Sequence, residues 1–181
     1  TWVLSNHDVV RHASRLAYPA DMDTDPGIGP KDPQPDAELG LARARAATLF
    51  MLGLPGSAYL YQGEELGLPQ AHVPFERLVD PEAIANWPET LGRDGARTPM
   101  PWAAALRNAG FSTVEPWLPV DPRHVAKAVD AQEADAGSVL HVARRLIALR
   151  KRHPALRVGA MEPVETGGDL LIFKRLERYE E

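Results

Sequence analysis

The stretch that decides the fold of this chain is Val3-Leu4-Ser5-Asn6-His7-Asp8. Residues 2–4 predict a short buried strand, and the polar triplet that ends at Asp8 follows where this strand ends. In β/α barrels, side chains at the carboxyl ends of the strands form the active site. Taken alone, three polar residues after an apolar run equally fit an Asx turn or a helix cap. The rest of the sequence is therefore needed to distinguish an active site from a simple turn or cap.

A second polar cluster follows a second short apolar stretch. Residues 37–54 predict a helix that Asp36 caps and Pro55-Gly56 ends. Residues 57–61 predict another buried strand, which runs into Gln62-Gly63-Glu64-Glu65. The order strand, loop, helix, strand predicts a βαβ unit with two parallel strands. For the two glutamates we favour a role in ordering the loop over direct catalysis.

Two segments have clear helical patterns, and the sequence changes to a β pattern after the second. In the first helix, one face at helical spacing contains Leu39, Ala42, Ala46, Leu49, Phe50 and Gly53. The second begins after Ser138 and stops at His153-Pro154. Beyond it, a Gly167-Gly168 turn and an apolar run at 170–176 predict β structure. We therefore expect a domain of residues 1–157 and a truncated β-rich domain of residues 158–181.

The long segment 68–117 lacks a regular pattern, and its densest part is residues 92–102. Here Arg93 and Arg97 lie four residues apart with Asp94 between them. The planar guanidinium fork suits carboxylates and sugar hydroxyls, although an Arg-Asp pair can also brace a loop. Phe111 and Trp117 add aromatic faces, and long loops of this kind are usually functional or disordered. The aromatic residues favour the functional alternative.

Composition limits the classes of function. With 20 basic and 25 acidic residues the net charge is −5, so no basic surplus indicates nucleic acid or a membrane surface. No apolar run approaches the roughly 20 residues that a membrane span needs. Cysteine is absent, which fits a reducing compartment, and we expect a cytoplasmic protein. The chain begins at Thr1 inside a predicted strand, which suggests a fragment.

Two metal-site interpretations are disfavoured. Residues 21–32 contain four aspartates but lack the closing glutamate of an EF-hand loop, so a solvated loop is expected. A site made of His7, Asp8 and His12 would place three ligands in one short stretch, with no fourth ligand at a sensible spacing downstream. No metal or cofactor is therefore expected in this chain.

Four stretches together resemble a known family. The chain is similar to the C-terminal part of the α-amylase superfamily (glycoside hydrolase family 13), in the α-glucosidase and oligo-1,6-glucosidase branch. The resemblance covers nearly the whole chain, and four motifs in the right order are strongly specific. They are Ser5-Asn6-His7-Asp8, residues 52–67, residues 92–102 and residues 146–156.

The resemblance implies a fold and a set of roles. The fold would be α/β: strands seven and eight of a (β/α)8 barrel with their helices, then the start of an all-β domain. Asp8 would be the carboxylate that stabilises the transition state, and His7 would hydrogen-bond a sugar hydroxyl. Arg93 or Arg97 would line or brace the pocket, and the resemblance leaves open which. Asn6 and Arg11 are assigned structural roles.

The same resemblance implies that important parts are missing. The family's nucleophile and acid/base carboxylates lie upstream of Thr1, so this chain alone is expected to be inactive. A structural divalent ion is possible in the full-length parent, at a site outside this chain. The expected partner is a small α-glucoside or oligosaccharide, with neither nucleic acid nor membrane. Alternatives are a transglycosylase, a sucrose isomerase or trehalose-forming enzyme, and a non-catalytic amylase-like subunit.

Overall fold

The computed structural model describes residues 1–25, 27–29 and 31–177. Its strands are β1 (Trp2–Val3), β2 (Ala58–Tyr59), β3 (Ala160–Val164) and β4 (Ile172–Leu176). Its helices are α1 (His12–Arg15), α2 (Ala37–Gly53), α3 (Pro81–Asn86), α4 (Pro122–Val125), α5 (Val129–Glu133), α6 (Val139–Arg152) and α7 (Pro154–Val158). None of the helices in this part of the chain is long and apolar enough to cross a membrane. The last predicted feature, the acidic end of the chain, lies partly outside the described residues.

Strands β1 and β2 form the predicted parallel pair. Trp2 pairs with Ala58 and Val3 pairs with Tyr59. The strands are shorter than predicted, and the prediction that they are buried is wrong for this chain, because Trp2, Val3 and Tyr59 are all exposed. A parallel sheet normally has both faces covered. Two strands alone leave the faces and the outer edges open.

Helix α2 connects the two parallel strands and begins as predicted. The Asp36 carboxylate accepts hydrogen bonds from the backbone N–H groups of Glu38 and Leu39. The predicted apolar face is not the packed one, since Leu39 and Leu49 are exposed. The buried positions are instead Gly40, Ala44, Thr48, Met51 and Leu52. Small side chains at this face let α2 approach α1 closely, so shape decides the packing more than hydrophobicity does.

Helix α6 has the predicted Ser138 cap and packs against α2. Its last turn contributes Arg150, whose guanidinium donates to the carbonyls of Leu52 (2.5 Å) and Leu54 (2.9 Å) and to that of Gly56. These carbonyls lie at and beyond the end of α2, where helical hydrogen bonds are lacking. The basic end of α6 therefore binds the carboxyl end of another helix as well as offsetting its own dipole.

Strands β3 and β4 form an antiparallel hairpin beyond α7. Phe173 of β4 contacts Phe50 edge to face, with the ring centroids 5.9 Å apart. Arg175 donates to the carbonyls of Gly53 (2.6 Å) and Gly159 (2.8 Å). The change to β structure after Gly159 is thus confirmed for residues 160–176, and the hairpin lies against the end of α2.

The close contact of α2 with α1 generates a stability prediction. Alanine in a helix interior is normally about 1 kcal/mol more stable than glycine. A Cβ added at Gly40 would lie only 2.2 Å from the carbonyl oxygen of Ala13. We expect Gly40→Ala to lower the free energy of unfolding by roughly 1–3 kcal/mol, measured by denaturant titration.

The control is Ala46→Gly on the exposed face of the same helix. It should cost about 1 kcal/mol through helix propensity alone. An increase in stability for Gly40→Ala would contradict the close packing of α2 on α1.

Candidate active site

The polar triplet after β1 forms a tight turn. The Asn6 side-chain oxygen accepts a hydrogen bond from the backbone N–H of Asp8 at 2.7 Å. This is the Asx turn that the sequence permits. It also leaves about half of the Asp8 side chain exposed to solvent. The turn and the site are therefore compatible, because the turn is what presents the Asp8 carboxylate.

Three cationic or polar side chains surround the Asp8 carboxylate. Oδ1 accepts from Arg97 Nη2 at 2.9 Å and lies 3.5 Å from Arg93 Nη1. Oδ2 lies 3.2 Å from His7 Nε2. The structure thus brings together the four site residues predicted from the sequence, although 84 residues separate the histidine-aspartate pair from the first arginine.

Arg97 connects the arginine loop to the turn after β1. Its Nε donates to the backbone carbonyl of His7 at 2.8 Å while Nη2 binds Asp8. One guanidinium therefore binds both the backbone and the carboxylate of the turn. Two directed bonds from a planar group restrict the orientation of Asp8 more than a single ion pair would.

Arg93 is held from the opposite side by Asp80. Nε and Nη2 of Arg93 each donate to the Asp80 carboxylate at 2.8 Å, and the Arg93 backbone N–H adds a third bond at 2.9 Å. Asp80 is fully buried, and the hydrogen bonds from Arg93 hold the pKa of this carboxyl well below its usual range. Nη1 of Arg93 remains directed toward Asp8.

Asp80 itself is fixed by Asp94, the residue between the two arginines. The Asp94 carboxylate accepts from the backbone N–H groups of Val79 (2.7 Å) and Asp80 (2.9 Å). Sequence reasoning missed Asp80. The available signal was the Asp80-Pro81 pair, which indicates the start of a helix, and Asp80 does cap α3. Nothing in the sequence pattern links it to Arg93.

Beneath the turn, Arg11 joins three separate segments. The side chain is almost fully buried, and Nη1 donates to the carbonyl of Gln62 at 2.7 Å. Nη2 donates to the carbonyl of Ala96 at 2.9 Å, and the backbone N–H donates to Gln70 Oε1 at 3.0 Å. The predicted structural role of Arg11 thus extends to the end of β2 and to the arginine loop.

A second buried cluster contains Ser5, His12 and Glu64. His12 Nδ1 lies 3.1 Å from Ser5 Oγ and 3.3 Å from Glu64 Oε1. Glu64 Oε2 also accepts from the backbone N–H of Tyr61 at 3.1 Å. Burial raises the pKa of Glu64 to about 7 and lowers the pKa of His12 to about 4. Both shifts favour the neutral forms, because neither charge is well solvated there.

The two glutamates after β2 order their loop locally. Glu64 binds the Tyr61 N–H, and Glu65 Oε2 accepts from the backbone N–H of Gly63 at 2.9 Å. Glu64 lies deep under the site and is not exposed to a substrate. These contacts agree with the loop-ordering role favoured from the sequence.

Two cavities lie near the arginine loop. One of about 380 Å³ is lined by Arg97 and by the predicted aromatic pair, Phe111 and Trp117, with Gln62 and Asp80. A larger cavity of about 600 Å³ is mainly apolar and includes neither Asp8 nor either arginine among its lining residues. The smaller cavity therefore adjoins the Asp8 site through Arg97, although neither Asp8 nor His7 is among its lining residues.

The aspartate-rich loop has local contacts of its own. The Asp23 carboxylate accepts from the N–H of Asp25, and that of Asp32 accepts from the N–H of Gly29. Within residues 1–25, 27–29 and 31–177, no group of three or more His, Cys, Asp or Glu side chains could hold a metal ion.

The arrangement defines a class of protein. Two parallel strands lie side by side, and a carboxylate after the first is held between two arginines near a cavity lined by aromatic residues, as expected for part of a β/α barrel. Residues 1–159 match the alpha-amylase catalytic-domain family, and the chain belongs to this family.

Relatives and solved structures agree with this assignment. The chain is 45% identical over 174 residues to the "Probable alpha-glucosidase" of Rhizobium meliloti and 30% identical over 177 residues to the oligo-1,6-glucosidase of Parageobacillus thermoglucosidasius. These matches cover 96% and 88% of this chain but only 28% of each relative. The chain therefore spans less than a third of the length of these relatives.

The structural neighbours are enzymes of more than one kind. The alpha-glucosyl transfer enzyme XgtA matches with a TM-score of 0.78 and 43% identity, over 96% of this chain and 29% of that one. Trehalulose synthase MutB from Pseudomonas mesoacidophila MX-45 matches with a TM-score of 0.73 and 27% identity, over 98% and 32%. These neighbours are alpha-amylase-family barrel enzymes, of which the chain matches a portion.

The buried His12–Glu64 pair generates a prediction about pH. Ordinary pKa values are 6.5 for histidine and 4.5 for glutamate. Between these values the folded pair holds its proton on Glu64 and the unfolded pair holds it on His12. The number of bound protons is equal, so this pair leaves stability nearly independent of pH in this range.

Removing one partner should expose the contribution of the other. In Glu64→Gln, the lowered pKa of His12 means that the unfolded state binds more protons, so stability should rise with pH between about 4 and 6.5 relative to the parent. In His12→Gln, the raised pKa of Glu64 should make stability fall between about 4.5 and 7. Denaturant unfolding at several pH values measures both slopes, and slopes of the same sign would contradict the neutral pair.

Proposed function

We propose that this chain is the C-terminal portion of a retaining α-glucosidase that releases terminal α-linked glucose from small oligosaccharides. In this proposal β1 and β2 are the seventh and eighth barrel strands. Residues 1–157 belong to the catalytic barrel, and residues 158–181 begin a β-sandwich domain. The observation that supports it most strongly is the Asp8 carboxylate held by Arg97 and Arg93 at the end of β1.

Asp8 would stabilise the transition state of glycoside cleavage. That state resembles an oxocarbenium ion, with positive charge developing on the sugar ring. A fixed carboxylate beside the ring stabilises this charge without needing to reorganise during the reaction. The Asn6 turn and the Arg97 fork hold Asp8 in place beforehand, which is the condition for such an effect.

His7 and the two arginines would bind the sugar and orient Asp8. His7 is exposed beside Asp8 and would hydrogen-bond a hydroxyl of the bound glucose. Arg97 commits Nε and Nη2 to the turn, so we assign it to orienting Asp8. Arg93 commits Nε and Nη2 to Asp80, which leaves Nη1 for a sugar hydroxyl. Arg97 would brace Asp8 and, because it also lines the smaller cavity, either arginine would have an Nη1 group near the sugar.

The nucleophile and the acid/base would come from upstream barrel strands of the full-length parent. A retaining glycosidase needs both, about 5–5.5 Å apart across the scissile bond. No divalent ion takes part in the roles proposed for this chain. The parent would act in the cytoplasm on a small α-glucoside, with no nucleic acid or membrane as partner.

The role of Asp8 can be tested in the full-length parent with 4-nitrophenyl α-glucoside. Asp8→Asn keeps the shape and removes the charge, so kcat should fall about 10²- to 10³-fold with a smaller change in KM. Asp21→Asn in the exposed loop is the matched control and should behave as the parent does. An Asp8→Asn variant with at least half of the parental kcat would refute the proposed role.

The proposed location of the nucleophile and the acid/base, in the parent but outside this chain, gives a second prediction. The purified 181-residue chain should not hydrolyse 4-nitrophenyl α-glucoside above the buffer rate, because it would lack both principal carboxylates. Turnover by this chain, abolished in its own Asp8→Asn variant, would show that the proposal places the catalytic groups wrongly.

Glucosyl transfer or isomerisation is the second candidate function. The 43% identity to a glucosyl transfer enzyme and the likeness to a trehalulose synthase favour it. The chemistry at Asp8 would be shared, and the exclusion of water from the acceptor position would differ. Product analysis of the parent with maltose and with sucrose separates the candidates, since hydrolysis yields free glucose and transfer or isomerisation yields new glucosides.

A non-catalytic amylase-like subunit is the least supported alternative. Such a protein would not need to keep Asp8, His7 and both arginines in contact. Finding no upstream nucleophile and acid in the coding sequence of the parent would favour this alternative.

A further inference from the structure

The carbonyl group of Ala96 links the arginine loop to one residue that follows β1 and one that follows β2. This carbonyl accepts from Arg11 Nη2 at 2.9 Å and from the Tyr61 hydroxyl at 3.0 Å. The next residue is Arg97, which binds His7 and Asp8. The backbone immediately before the Asp8 brace is thus fixed by one residue after β1 and one after β2.

Arg11 and Tyr61 are themselves held together. The guanidinium carbon of Arg11 lies 5.4 Å from the centroid of the Tyr61 ring, within the range of a cation–π contact. Nη1 of Arg11 also binds the carbonyl of Gln62 at 2.7 Å. A Cβ added at Gly63 would lie 2.8 Å from that nitrogen, so a larger residue at this position would crowd Arg11.

Burying the Arg11 charge is costly and needs a compensating gain. Burial lowers the pKa of the Arg11 guanidinium, which reports an unfavourable environment for the charge. Within the described part of the chain, no carboxylate lies within 4 Å of it, and backbone carbonyls take its hydrogen bonds instead. A guanidinium reaches two carbonyls on different segments at once, which a lysine amine cannot do in the same fixed geometry.

We infer that Arg11 and Tyr61 are positioning residues: through the Ala96 carbonyl they set the place of Arg97 and hence the orientation of Asp8. This inference rests on the proposed function of Asp8. Neither side chain would touch the substrate, because Arg11 is almost fully buried and both act on the loop backbone. A purely structural role would instead stabilise the fold without acting through Arg97.

A double-mutant cycle in the full-length parent distinguishes these roles. Tyr61→Phe removes only the hydroxyl that binds the Ala96 carbonyl. It should lower kcat/KM about two- to tenfold on 4-nitrophenyl α-glucoside, mainly through kcat. In the Arg97→Ala background the same change should cost less than about 1.5-fold, because the group that it positions is gone.

The matched control is Tyr18→Phe. The Tyr18 hydroxyl also donates to a backbone carbonyl, that of Pro33, and neither residue is among the described hydrogen-bond partners of Ala96 or Arg97. Its effect on kcat/KM should be the same factor in both backgrounds. An equal loss for Tyr61→Phe in both backgrounds, or no loss in the parent background, would overturn the inference.

Arg11→Lys provides a second test of the same inference. It keeps the charge and loses one of the two carbonyl contacts, so its loss of kcat/KM should exceed that of Tyr61→Phe and should likewise shrink when Arg97 is alanine. If this variant does not fold, the Tyr61 cycle decides the matter by itself.

Failure of the proposed function is recognised separately. If the parent turns over no α-glucoside, the proposed function is wrong, and the positioning claim is then decided by a crystal structure of the full-length Tyr61→Phe variant. A distance between Arg97 Nη2 and Asp8 Oδ1 clearly above the present 2.9 Å supports the claim, and an unchanged distance overturns it.

Discussion

The structure of the site depends on the buried guanidinium of Arg11. The turn after β1, the turn after β2 and the arginine loop are far apart in sequence. Leu66 and Leu68 pack with Met100 of the arginine loop in one buried apolar cluster. Arg11 follows the turn after β1 in the chain. Its guanidinium donates to the Gln62 carbonyl after β2 and to the Ala96 carbonyl in the arginine loop. Without it, the Gln62 carbonyl would lose the Arg11 donor and the Ala96 carbonyl would keep only the Tyr61 hydroxyl. An unsatisfied buried acceptor costs about 1–3 kcal/mol. The hydrogen bonds of Arg11 therefore join the strand ends to the loop in addition to the apolar cluster of Leu66, Leu68 and Met100.

The ionisable side chains around Arg11 are accommodated in three different ways. Asp80 stays ionised although it is fully buried, because Arg93 and backbone N–H groups neutralise and solvate it. Glu64 and His12 avoid charge by becoming a neutral pair. Asp8 lies at the surface between two arginines. Only the last arrangement leaves a charged carboxylate exposed to a ligand, which is why it is the functional candidate.

The similarity to glucosidases and to glucosyl-transferring enzymes has a common physical basis. Hydrolysis and transfer pass through the same kind of cationic transition state and differ in which acceptor reaches the sugar. In the proposed role, Asp8 would stabilise that state and would serve either reaction. The exposed aromatic residues beside Arg97, Phe111 and Trp117, lie where an acceptor could be held or water excluded. In this proposal, the choice between hydrolysis and transfer would depend on the surrounding loops and not on Asp8.

The sequence alone was sufficient for those features that depend on neighbouring residues. Capping by Asp36 and Ser138, the parallel order of the strands and the polar ends of both strands follow from local hydrogen bonding and chain connectivity. The resemblance of four motifs also identified the family and predicted a site of Asp8, His7, Arg93 and Arg97, which the structure brings together.

Tertiary structure alone decided the features that depend on approach between distant segments. The packed face of α2 contains Gly40 and Ala44 rather than Leu39 and Leu49, because close approach to α1 requires small side chains. The partnership of Asp80 with Arg93 could not be predicted, because a carboxylate and a guanidinium 13 residues apart have no periodic signature. For the same reason, residue types gave no sign that Arg97 binds both the backbone and the carboxylate of the turn after β1 while Asp80 holds Arg93: the geometry of a fork is set by which atoms the fold places within reach.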